Sequence, residues 1–89
     1  MATLLVTYDL NKPGKDYTDL LKKIKSYAWA RLSESSYAIS SNSDPQTVFN
    51  GLKPFLDPND NLYVITLKKP HAGFGPKDVN DWLESNLAY

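Results

Sequence analysis

Apolar positions along this chain change period several times, and each change marks an element. From Thr3 to Leu10, aliphatic and β-branched residues fall on both alternating faces, as in a central strand covered on both sides or a strand at a subunit contact. Asn11-Lys12-Pro13-Gly14-Lys15 then reads as a turn, because proline removes a backbone donor and glycine permits dihedrals closed to other residues. Tyr17, Leu20, Leu21, Ile24 and Ala28 follow helical spacing, with Asp16 as the expected N-cap and the lysines largely on the opposite side. Trp29 to Leu32 and Tyr37 to Ser40 are short strands joined by the polar Ser33-Glu34-Ser35-Ser36.

Asp44-Pro45 starts a second helix: aspartate accepts from the orphan amides of the first turn, and proline fits a position where no donor is needed. Val48, Phe49, Leu52, Phe55 and Leu56 supply its buried side, and Gly51 and Pro54 end the regular helix near Lys53. After the acidic turn Asp57-Pro58-Asn59-Asp60, Leu62 to Leu67 forms a fourth strand that Lys68-Lys69-Pro70 terminates. The order is β-α-β-β-α-β, and its compact solution is ferredoxin-like, α+β, with two helices on one face of a four-stranded antiparallel sheet. From Pro76 onward, Val79, Trp82, Leu83 and Leu87 predict an added C-terminal helix that docks on the domain or on a partner.

Eighty-nine residues with 42% hydrophobic content predict one domain, residues 1–89, with a single core. No stretch approaches the roughly 18 apolar residues of a membrane span, and no secretory signal is visible, so a cytoplasmic location without a membrane partner is expected. The absence of cysteine excludes disulfides, thiolate metal sites and cysteine nucleophiles, and one histidine, His71, builds no histidine-rich metal site. Ten basic residues balance ten acidic ones, which argues against binding nucleic acid by bulk charge. The distribution is uneven: residues 1–31 carry six basic and three acidic side chains, residues 32–67 one and four, and the remainder three of each. Any basic surface therefore lies around the first loop and first helix.

Three familiar chemistries fail on inspection. Gly73-Phe74-Gly75 does not sit inside a strand as the glycine-aromatic centre of an RNA-recognition motif does, because Pro76 and a helix follow. Gly14-Lys15 lacks the remaining glycine and hydroxyl residue of a phosphate-binding loop. The arginine that acylphosphatases carry in their first loop is also missing from Lys12-Pro13-Gly14-Lys15. Asp9 is the one chemically sharp position, a carboxylate delivered by a rigid strand into a polar loop. It is either a turn cap acting through Asn11 or a metal ligand, since magnesium often takes only one or two protein carboxylates and a two-fold dimer supplies a second copy.

Leu5-Val6-Thr7-Tyr8-Asp9-Leu10-Asn11-Lys12-Pro13-Gly14, the paired strands around Trp29 to Ser40 with serine before Tyr37, Asp60 before an apolar strand, and Asp81-Trp82-Leu83 together resemble the Cas-two family of CRISPR-associated proteins. The likeness is nearest to compact bacterial SinR-family, Cas-two-like proteins. It implies a ferredoxin-like homodimer in which Asp9 binds magnesium or manganese between protomers, and in some members nuclease activity on RNA or DNA or an integrase-like protein partner. This chain departs from the family by carrying lysines where arginines are usual, and by a C-terminal helix where a strand pairs with the partner subunit.

Two functions follow as expectations. The first is a Cas-two-like homodimeric nucleic-acid-associated protein, binding before cleavage, with Mg-dependent endonuclease chemistry at Asp9 and Ser36 and phosphate contacts from Lys12 and Lys15. The second is a non-catalytic dimeric protein-interaction module using a sheet edge or the C-terminal helix, with Phe74 and Trp82 as anchors.

Overall fold

A computed structural model describes all residues from Met1 to Tyr89. The chain is α+β: strand β1 (Ala2–Asp9), helix α1 (Thr18–Ile24), β2 (Ala28–Ser33), β3 (Ser36–Ser41), α2 (Pro45–Leu52) with a 3-10 turn over Lys53–Phe55, β4 (Asn61–Leu67) and α3 (Lys77–Asn86). Its four strands form one sheet in the order β2-β3-β1-β4, and all three neighbouring pairs are antiparallel. No helix is long and apolar enough to cross a membrane.

The expected capping chemistry holds at α2, where the Asp44 carboxylate accepts from the Thr47 amide at 2.8 Å and Pro45 opens the first turn. It shifts at α1. Tyr17, not Asp16, is the cap residue, and Asp16 accepts from the Thr18 amide at 2.9 Å just ahead of the helix. The loop between β1 and α1 contains the expected turn: Lys15 N–H donates to the Lys12 carbonyl across Pro13 and Gly14, whose φ of 79° is the conformation a type II turn reserves for glycine.

Alternation along β1 divides the molecule. Leu4 and Val6 are fully buried and Tyr8 nearly so, on the face where their cross-strand partners are Ile39, Tyr37, Val64 and Leu62. Leu20 and Ile24 of α1 and Val48 and Leu52 of α2 close over this face and complete one apolar cluster. Both helices therefore lie on the same side of the sheet. The central place expected for the first strand is observed, and the end of β1 is stapled to the β2–β3 connection by Tyr8 N–H and Tyr8 Oη, which donate to the Ser35 and Glu34 carbonyls at 3.0 and 3.1 Å.

The second face is covered only in part. Thr3, Ala30, Ala38 and Ser40 point there, and their small size gives α3 a seat against β2 that reaches Thr3 at the start of β1. Thr3 Oγ1 donates to the Asn86 carbonyl at 2.8 Å, Leu87 is buried, and Lys69 Nζ pairs with Glu84 Oε1 at 2.9 Å, which holds the C-terminal segment down. The remaining strip, formed by the cross-strand pairs Leu5–Ile65, Thr7–Tyr63 and Asp9–Asn61, stays open, with Tyr63 63% and Ile65 49% exposed.

This division predicts unequal costs for truncation along the central and edge strands. Leu4→Ala removes a fully buried side chain and is expected to cost about 2–5 kcal/mol, whereas Tyr63→Ser changes the stability of the isolated protomer by no more than about 0.5 kcal/mol. Urea unfolding of the two variants at low protein concentration checks the contrast.

Candidate functional site

Asp9 ends β1 with its side chain exposed, opposite Asn61 at the start of β4. The two belong to a shallow depression of about 190 Å³ lined by Thr7, Tyr8, Asp9, Asn61 and Tyr63. Directly paired residues of antiparallel strands hold their Cβ atoms about 4.5–5.5 Å apart, so a carboxylate and a carboxamide stand side by side. Neither side chain makes a hydrogen bond within the chain.

The turn role open to Asp9 is filled by another residue. Asn11 Nδ2 bonds the Asp9 backbone carbonyl at 3.3 Å and the Asn59 carbonyl at 3.0 Å, so the Asp9 carboxylate takes no part. Asp60 does the capping: its carboxylate accepts from the Asn11 amide at 2.7 Å, from the Asp57 amide at 2.8 Å and from Tyr17 Oη at 2.7 and 2.8 Å. One side chain thereby ties the loop after β1, the start of α1 and the turn before β4. Desolvation acts to raise the Asp60 pKa, but the donors from Asn11, Asp57 and Tyr17, helped by the charge of Lys15, outweigh it and hold the carboxyl below the ordinary aspartate value. The Tyr17 hydroxyl moves the other way, raised by desolvation and then by its bond to Asp60.

Ser36 begins β3 opposite Thr7, on the same face as Asp9 and diagonal to it. Its hydroxyl pairs with that of Ser33, and it does not line the depression. Lys12 is exposed on the loop, while Lys15 lies over the Tyr17 ring with Nζ 5.2 Å from the centroid. The expected residues thus gather at one end of the sheet without forming one pocket, and only Asp9 lines the cavity. Asn61 and Tyr63 join it there. Their signal in the sequence was positional: Asn61 follows the Asp57–Asp60 turn, and the strand pairing that brings it beside Asp9 spans 52 positions.

No group of three or more histidine, aspartate or glutamate side chains gathers within one chain to hold a metal ion. Asp9 and Asn61 offer hard oxygen donors of the kind magnesium and manganese accept, and are fewer than a closed site needs. No protein-family model matches the sequence.

The Asp60 clamp has a pH signature. Its pKa is depressed on folding, so its stabilising contribution is fully present above the unfolded value, about 4, and is lost as pH falls through the lower folded value. Asp60→Asn is therefore expected to lower the urea midpoint most at neutral pH, with the gap to the parent protein closing below about pH 4. Asp16, Asp44 and Glu84 are depressed as well, by donors from Thr18, Thr47 and Lys69, so both proteins still weaken in acid. Asp9→Asn, which removes no hydrogen bond within the chain, is expected to leave the midpoint at neutral pH unchanged at low protein concentration.

Proposed function

We propose that this chain is a Cas-two-like homodimeric protein that associates with RNA or DNA, with the open β1–β4 strip packed against its copy so that two Asp9 carboxylates meet across the axis. The observation that carries the reading is the free state of Asp9. Asp60 takes the local capping work, and the Asp9 carboxylate stands unbonded beside Asn61 on an uncovered strip of the sheet, continuous with exposed Tyr63 and Ile65. Exposed apolar side chains next to an unpaired polar pair suit a second copy better than bulk water. The sheet order, in which each of α1 and α2 links strands that flank an intervening one, supports the ferredoxin-like form of this fold.

Two copies supply two carboxylates and two carboxamides, a donor set that fits magnesium or manganese with waters retained. Bound there, such an ion offsets charge on a phosphodiester and orients a water. The protein's own contribution is placement: β1 fixes Asp9, β4 fixes Asn61, and Lys12 and Lys15 on the adjoining loop contact phosphate as point charges. Ser36 lies outside the depression, and with its hydroxyl engaged by Ser33 it serves the hairpin in this reading. A cytoplasmic setting and an integrase-like partner belong to the same proposal.

Sedimentation and binding test it together. The parent protein is expected to sediment as a dimer that Ile65→Asp dissociates, while Asp9→Ala stays dimeric and loses magnesium-dependent binding or cleavage of a phosphodiester substrate. Lys12→Ala and Lys15→Ala are each expected to reduce the slope of log affinity against log salt by about 0.7–0.9. A monomeric parent, or cleavage that survives Asp9→Ala, contradicts the assignment. The fully exposed Phe74 favours the non-catalytic interaction module instead, and a dimer without nucleic-acid affinity at low salt is the result that selects it.

A further inference from the structure

The largest concavity is remote from Asp9. It measures about 330 Å³ and is lined by Trp29, Ala30 and Arg31 of β2 and by Asp78, Val79 and Trp82 of α3. Successive strand residues point to opposite faces, so a cavity lined by three consecutive ones lies along the strand's edge and not over either face. That edge is free. β2 pairs only with β3, and no backbone hydrogen bond outside the regular elements involves residues 28 to 32. A second depression, of about 220 Å³, continues it past Val79 towards Leu32 and Leu83. The result is a groove with an unpaired strand edge on one side and a helix on the other.

Most exposed edges carry a device that blocks further pairing, such as an inward charge, proline or a bulge. Here the bulge between Arg31 and Ser33 and the charge of Arg31 on the α1 side guard only the hairpin end, and Ala28 to Ala30 present a regular edge with neither proline nor charge. Both walls carry unpaired charge. Arg31, the only arginine in the chain, makes no salt bridge and donates Nε to the Ser33 carbonyl at 3.3 Å; Asp78 accepts only from the adjacent Val79 amide. Trp29 and Arg31 point to the α1 side, where Trp29 meets Tyr37 edge-on at 5.6 Å, whereas Ala30, Val79 and Trp82 line the α3 side.

We infer that the groove between β2 and α3 binds an extended peptide segment of another protein, added to the sheet as a fifth strand. Main-chain pairing with the β2 edge supplies the affinity, and alternation supplies the selectivity. Residues of the bound strand that face α3 place an apolar side chain against Trp82 and Val79 and a basic one near Asp78. Those on the opposite side place an acidic residue near Arg31. A second copy of this chain is disfavoured as occupant, because α3 flanks the edge and a whole sheet bearing its own α3 meets it at the same strip. This site is independent of the dimer reading, since it uses neither Asp9 nor the β1–β4 strip.

The probe is a blocked ten-residue peptide alternating glutamate with leucine, one leucine replaced by lysine, titrated into the ¹⁵N-labelled full chain. Amide shifts and slowed exchange are expected at residues 28–32 with side-chain effects on Trp82, and replacement of the central residue by proline is expected to abolish them. Arg31→Glu is expected to weaken binding by roughly five- to tenfold, and a peptide with lysine for glutamate to recover it. The proposal is overturned by no protection at 28–32, by charge swapping without recovery, or by protection that appears without peptide as protein concentration rises, which identifies a second copy instead. Shifts in the groove produced by single-stranded oligonucleotide and not by peptide overturn it as well.

Discussion

The site's character depends on the three hydrogen-bond donors that converge on the Asp60 carboxylate. They join three segments far apart in sequence: Asn11 on the first loop, Tyr17 at the entry to α1, and the Asp57 turn before β4. Charge-assisted bonds of this kind are stronger than neutral ones, and here they fix the end of the sheet where β1 and β4 meet. With Asp60 committed, Asp9 has no structural duty. A carboxylate on a rigid strand with no partner inside its own chain is a group available to something outside it.

The second determinant is side-chain size on the far face of the sheet. Leu4, Val6 and Tyr8 give α1 and α2 a deep apolar surface, while Thr3, Ala30, Ala38 and Ser40 give α3 a shallow one. Helices settle where they can approach closely, so α3 covers the small residues and stops short of Leu5, Tyr63 and Ile65. The same arrangement leaves a free strand edge beside α3 and an open strip beside Asp9. One choice of residue sizes thus creates both surfaces to which function is assigned.

Local chemistry was legible in the sequence to the extent that both partners lay within one turn. The Asp44-Pro45 cap, the Pro13-Gly14 turn and the end of α2 at Lys53 each rest on contacts a few residues apart, and each is where the residue types place it. Asp16 was a near miss for the same reason: it does accept from the start of α1, but through Thr18, with Tyr17 as the cap. The role of Asp60 was not legible, because its partners Tyr17 and Asn11 lie 43 and 49 positions away and a turn aspartate looks the same whether or not it reaches across the fold. Asn61 beside Asp9 and the groove along β2 were hidden likewise, since strand pairing and the docking of α3 create them.

The claim that Asp60 is occupied and Asp9 is free for a shared ion is most directly tested by titrating the isotopically labelled protein with manganese and mapping paramagnetic broadening. Broadening is expected to centre on Asp9 and Asn61, to saturate at one ion for two chains and to be abolished by Asp9→Ala. Broadening centred on Asp57 and Asp60, or saturation at one ion per chain, contradicts it.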